Sequence, residues 1–233
     1  MFTLKRYTED LISLLFPELC YGCGNLLYHG EKDVCTSCLY DLPYTDYHIY
    51  PDNPLAKQFW GRLSLEAAMA MLYFKKGTKV QNLLHGLKYK SQTNIGTYLG
   101  KLIGQRLSKS QFYVDIDAII PVPLHRKKLR LRGYNQSEYI AKGLAEELKV
   151  PMDTKSLTRG TATESQTKKA RYTRYENMQG VFCVNHAEEL ANKHILLVDD
   201  VVTTGATLEA CGNILLSHGV KKLSVAAIAF AEQ

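Results

Sequence analysis

His194-Ile195-Leu196-Leu197-Val198-Asp199-Asp200-Val201-Val202-Thr203-Thr204-Gly205-Ala206-Thr207 is the stretch on which the fold turns. Four consecutive apolar residues before a pair of acids predict a buried strand, His194 to Val198, of the kind found in parallel sheets covered on both faces. The turn Thr203 to Thr207 leads into an apolar-periodic helix, Ala206 to Ser217, stopped by Gly219. At a strand end, two adjacent carboxylates are placed to accept hydrogen bonds from the vicinal hydroxyls of a ribose. Free N–H groups and three hydroxyls at the start of a helix form an anion cradle suited to a phosphate monoester. An ordinary helix cap would account for a Thr or an Asp singly, but not for the whole arrangement. The spacing fits neither a Walker A loop nor a GxGxxG dinucleotide loop.

Working outward, further elements alternate. Leu65 to Phe74 predicts a strand; Val80, Leu83, Leu84 and Leu87, then Leu99, Leu102, Ile103 and Leu107, recur at helical spacing. Asp117 to Pro121 predicts a short buried strand, Ser137 to Leu148 an amphipathic helix, and Leu223 to Phe230 the last strand. The fold class expected is α/β, a parallel sheet flanked by helices. Ligands in such sheets bind at the carboxyl ends of strands, so the loop Pro121-Val122-Pro123-Leu124 joins Asp199 and Asp200 as a candidate site.

Four of the six cysteines form Cys20-x2-Cys23-x11-Cys35-x2-Cys38. Two CxxC turns facing each other offer four thiolates to one tetrahedral Zn²⁺. A knuckle this short cannot build a core, so a structural zinc would replace one. Paired disulfides are disfavoured in a reducing compartment. Cys183 and Cys211, in apolar segments, are expected to be small buried hydrophobes. The domain plan is therefore 1–42 for an N-terminal helix and the cysteine module, 43–62 for a Pro-rich linker, and 63–233 for the larger domain. The N-terminal helix carries Leu4, Leu11, Leu14 and Leu15 on one side and stops at Pro17. It does not read as a signal peptide, and no apolar run reaches the ~20 residues of a membrane span. A cytoplasmic location is expected.

Of 233 residues, 45% are hydrophobic and 22% charged, which excludes collagen-like and disordered classes. The net charge of +6 is concentrated: Pro121 to Glu176 holds 13 Lys+Arg against 6 Asp+Glu. Within it Arg126, Lys127, Lys128, Arg130 and Arg132 stand beside His125 and Tyr134, and Lys168, Lys169, Arg171 and Arg174 follow. These cations would suit a pyrophosphate pocket or a nucleic-acid backbone bound through counterion release, with Tyr134, Tyr172 and Tyr175 as stacking platforms. No C-terminal hood for a nucleobase is expected after Phe230, and no acceptor site is visible.

Ile195 to Thr207 resembles the phosphoribosyl-pyrophosphate (PRPP) signature of type I phosphoribosyltransferases. The tetracysteine module, Arg130-Leu-Arg132-Gly133-Tyr134-Asn135-Gln136, and Gln166…Arg174-x-x-Asn177-x-x-Gly180-x-Phe182 add three further motifs. Over nearly its full length the chain is similar to the bacterial ComF family. The resemblance implies ribose binding by Asp199 and Asp200, and 5-phosphate binding around Val201, Thr203, Thr204, Gly205, Ala206 and Thr207. It implies a pyrophosphate loop at Pro121 to Leu124, basic contacts reaching Asn135 and Gln136, and a closing loop from Thr161 to Gly180. Mg²⁺ is expected with PRPP, bridging its pyrophosphate oxygens. The resemblance also implies single-stranded DNA binding during DNA uptake in natural transformation, with a helicase partner. Catalysis is left open, the other possibility being an active phosphoribosyltransferase with an unidentified acceptor.

Overall fold

The computed structural model of the chain describes residues 17–160 and 181–232. The helices are α1 (Thr36–Asp41), α2 (Pro54–Lys57), α3 (Lys79–Tyr89), α4 (Thr93–Leu107), α5 (Arg126–Arg132), α6 (Gln136–Leu148), α7 (Ala187–Leu190) and α8 (Ala206–Ser217). Strands β1 (Ala67–Tyr73), β2 (Ala118–Pro121), β5 (His194–Val202) and β6 (Lys222–Phe230) form one parallel sheet in the order β1-β6-β5-β2. Strands β3 (Leu157–Arg159) and β4 (Phe182–Val184) make a separate antiparallel pair.

The apolar runs dictate this architecture. Ile195 to Val198 and Leu223 to Phe230 are buried at successive positions. Because side chains alternate across a strand, such runs are stable only where both faces of the sheet are covered. Helices α4 and α6 pack closely where Gly100 meets the backbone of Ile140 and Gly143 meets that of Thr97; a Cβ at either position would collide with a carbonyl.

The strand predicted to stop at Val198 continues to Val202, because Val201 and Val202 pair with Ala229 and Phe230 of β6. The two acids thus lie inside the strand and not after it. The basic stretch Arg126 to Arg132 is helix α5. His125 Nδ1 accepts from the Lys127 N–H at 3.1 Å to start it, and Gly133 at φ 82° ends it. It has no apolar period to announce it, since none of its residues is buried. Cys211 is buried in α8 as expected, but Cys183 is exposed. In a two-stranded pair alternate residues face solvent, and Phe182 takes the inward position.

Residues 43–62 pack onto β1. Tyr47, Leu55 and Phe59 are buried, the Thr45 N–H donates to Met71 O at 2.9 Å, and Asn53 Nδ2 donates to Ala68 O at 2.8 Å. The expected N-terminal helix and the expected closing loop Thr161 to Gly180 lie outside the described residues. Among the described residues, no helix is long and apolar enough to cross a membrane.

Candidate functional site

The register pairs Pro121 with Val198, and the Val122 N–H donates to Val198 O at 2.8 Å. The loop after β2 therefore starts alongside Asp199. Pro121 and Val122 are buried, while Pro123 and Leu124 are half-buried where the chain turns toward α5. Asn135 holds this loop in place: its Nδ2 donates to Val122 O at 3.1 Å while its Oδ1 accepts from the Ser137 N–H at 3.2 Å, capping α6.

The two acids have different surroundings. Asp199 Oδ1 accepts from Ser137 Oγ at 3.1 Å and from the Asp200 N–H at 2.8 Å. Burial first, and repulsion from Asp200 second, push its carboxyl up to about 7, against the pull of those donors and of Lys88. Asp200 is buried, accepts from the Val201 N–H at 2.7 Å, and has Lys88 Nζ 2.8 Å from its Oδ2. Asp199 is thus held by hydrogen-bond donors, whereas Asp200 has a cation, Lys88, in contact.

Beyond the acids a small pocket is lined by Asp199, Val201, Val202 and every residue from Thr203 to Leu208. Of the residues assigned to ribose and phosphate from sequence, all except Asp200 line it. Gly205, at φ +72°, makes the turn; a Cβ there would also lie 2.8 Å from the Phe59 ring. Gln58 Nε2 donates to Thr203 O at 2.7 Å, and Arg62 donates to Thr204 O at 3.3 Å and pairs with Glu209 at the start of α8. Backbone carbonyls of the turn are thereby occupied from behind. The turn leads into the N-terminus of α8, whose positive end favours an anion.

The basic residues divide. Arg126, Lys127, Lys128 and Arg130 are exposed on α5, as are Leu129 and Leu131. Arg132 is tied back: it donates to Gln136 Oε1, and its guanidinium lies 5.4 Å from the centre of the Tyr89 ring. Tyr134 donates its hydroxyl to Leu87 O and meets Tyr139 edge-on, with 5.7 Å between ring centres. Asn135 and Gln136 are buried. Lys168, Arg171 and Arg174 lie outside the described residues. Sequence reasoning missed Lys88, which stands in an ordinary amphipathic helix with no local mark. It also missed Ser137, whose hydroxyl reaches the acid pair.

The four thiols of Cys20, Cys23, Cys35 and Cys38 lie within 4.8 Å of one another. Cys23 Sγ and Cys35 Sγ are 3.8 Å apart. A tetrahedron with Zn–S of ~2.3 Å has edges of about 3.8 Å, so the donor set fits that ion. Burial opposes ionisation of Cys20, but the N–H groups of Cys35, Cys23 and Gly22 outweigh it and lower the thiol to about 7. Burial and the neighbouring thiols push Cys38 up, since four thiolates do not gather without a cation. Asn82 Nδ2 of α3 donates to Gly22 O at 2.9 Å, fixing the knuckle to the larger domain.

A parallel sheet with paired acids at its carboxyl edge, opening onto a Thr-Thr-Gly-x-Thr turn, defines a phosphoribosyltransferase-type domain. The family described as "Phosphoribosyl transferase domain" matches residues 135–233. Competence protein F of Haemophilus influenzae is 30% identical over 228 residues, covering 93% of this chain and 98% of that protein. Competence protein ComFC of Bacillus subtilis is 31% identical over 225 residues, covering 92% and 87%. DNA utilization protein YhgH of Escherichia coli K12 is 27% identical over 228 residues, covering 91% and 96%. The chain belongs to the ComF family.

Proposed function

We propose that this chain binds PRPP, or a related ribose phosphate, at the Asp199–Thr207 edge, and single-stranded DNA along helix α5, as a competence protein acting in DNA uptake in the cytoplasm. The observation that carries the first half is the pocket lined by Asp199 and the whole turn. Asp199 and Asp200 would take the ribose hydroxyls, and the N–H groups and hydroxyls of Thr203 to Thr207 the 5-phosphate. Mg²⁺ bound with PRPP would neutralise charge on the pyrophosphate. The four cysteines would hold one structural zinc, with no open position for catalysis.

DNA binding is supported by the exposed cations Arg126, Lys127, Lys128 and Arg130 and by the names of the relatives. Backbone neutralisation by such residues makes affinity fall steeply with salt. Calorimetry with PRPP and Mg²⁺ on the wild type and on Asp199→Ala/Asp200→Ala tests the first half. Heat from the wild type and none from the variant is expected; a wild type without heat refutes it.

The loop Pro121 to Leu124 beside Asp199, running into α5, favours a second reading as an active phosphoribosyltransferase. Cations there would stabilise departing pyrophosphate in the transition state. Pyrophosphate release from PRPP across a panel of bases and amines separates the two.

A further inference from the structure

We propose that Trp60 and Lys57 form a base-stacking platform for single-stranded DNA on the segment braced against the phosphate turn that follows β5. The proposal rests on the DNA-binding reading above and adds a place where a base, not only a phosphate, is held.

Trp60 lies on a segment anchored both in the core and against the phosphate turn. Leu55 and Phe59 anchor it in the core, and Asn53 Oδ1 caps α2 by accepting from the Ala56 N–H at 2.9 Å. Gln58 and Arg62 bond the turn at Thr203 and Thr204, Arg62 pairs with Glu209, and Asn213 Nδ2 donates to Arg62 O at 3.2 Å. On this fixed support the indole is 62% exposed, the Lys57 ammonium lying 5.8 Å from its ring centre. Burying a large aromatic is the ordinary outcome in a folded chain. Here the brace buries its neighbour Phe59 and turns Trp60 outward beside a cation.

Position supplies the occupant. The brace grips the turn that follows β5, while α5 follows β2 on the far side of β5 from β6 and β1. The exposed cations thus follow β2, the anion pocket follows its neighbour β5, and the segment that carries Trp60 is bonded to that same turn. An exposed indole next to an ammonium, on a segment bonded to the phosphate turn, matches single-strand recognition. There bases stack without sequence preference while cations track the backbone.

The protein supplies its own probe, because Trp60 is its single tryptophan. Binding of end-labelled oligo(dT) is followed by anisotropy at low salt, and tryptophan emission is recorded in the same titration. Quenching that saturates with the anisotropy is expected, as are affinity weaker by roughly tenfold in Trp60→Ala and retained in Trp60→Phe. An abasic oligomer of the same length should bind without quenching. Thermal melting confirms that Trp60→Ala folds, as an exposed position allows. Binding with no quenching and an unchanged Trp60→Ala affinity overturns the platform and leaves the DNA reading standing. No binding of oligo(dT) by the wild type overturns both.

Discussion

The cysteine cluster and the acid pair are both gatherings of groups that repel one another when ionised, and the protein deals with them in opposite ways. Cys20, Cys23, Cys35 and Cys38 converge where the chain has little core of its own, and only a cation reconciles four thiolates. Asp199 and Asp200 stand on the central strand of a buried sheet, where Lys88 and Ser137 are already in place. On the function proposed, the first site would be held together by its metal, while the second is built without one.

The sharpest way to break the comparison is to remove the metal. Chelation, or Cys35→Ser, is expected to unfold residues 17–42 locally, because structural zinc supplies on the order of 10 kcal/mol to such modules. Limited proteolysis would show new cleavage there, with metal release near one zinc per chain. Cleavage spreading into β5 and β6 would mean that the two sites do not differ as described.

Separating the two acids comes next. Asp200→Asn strands Lys88, which keeps a quarter of its exposure, and is expected to cost about 1–3 kcal/mol, less than a fully buried pair. Asp199→Asn should do the reverse. A carboxyl raised from its unfolded value to about 7 favours the fold when protonated, so its contribution is lost as pH rises through 7. Removing that charge is expected to raise the melting temperature at pH 8 while weakening PRPP binding. Wild-type PRPP affinity should accordingly fall as pH drops below about 7. Equal destabilisation by both substitutions would erase the distinction between them.

Gly205→Ala probes the preformed turn. A left-handed φ costs a non-glycine residue roughly 1–2 kcal/mol, and the Phe59 ring leaves no room for a methyl. Lower stability and lost PRPP binding should appear together. Lys128→Ala/Arg130→Ala, both exposed on α5, is expected to leave melting nearly unchanged but to flatten the salt dependence of DNA affinity, by about 0.7 in logarithmic slope for each phosphate no longer neutralised. The smallest effect belongs to His194, buried between Val114 O and Ser224 Oγ, where burial lowers its basicity. Its contribution is full above the unfolded value of ~6.5 and lost as pH falls below it, so melting near pH 5 should suffer less in His194→Gln.

What the sequence disclosed follows the range of the interactions. The strand, the acids and the turn occupy one continuous stretch, and their periodicity and residue types are local properties. The cysteine spacing is local too. Lys88 was hidden because its partner Asp200 is 112 residues away, and nothing in Leu87-Lys88-Tyr89 distinguishes a paired lysine from a solvated one. Helix α5 was hidden for a different reason: with no buried face it carries no apolar rhythm, only a histidine at its start and a glycine at its end. Residues 43–62 looked like a connector because prolines and turn formers dominate them, while Leu55 and Phe59, the residues that pin them down, are too few to make a pattern.

Helix α3 touches both ends of the comparison. Asn82 near its start holds the cysteine knuckle through Gly22, and Lys88 near its end holds Asp200, six residues or about 9 Å along the same rod. The obvious shortcut for a laboratory, cutting the chain after residue 42 to obtain a simpler phosphate-binding fragment, would therefore release the support of the very helix that presents Lys88. The two sites are separable on paper and share a beam in the molecule, and reagents made from this protein should keep both.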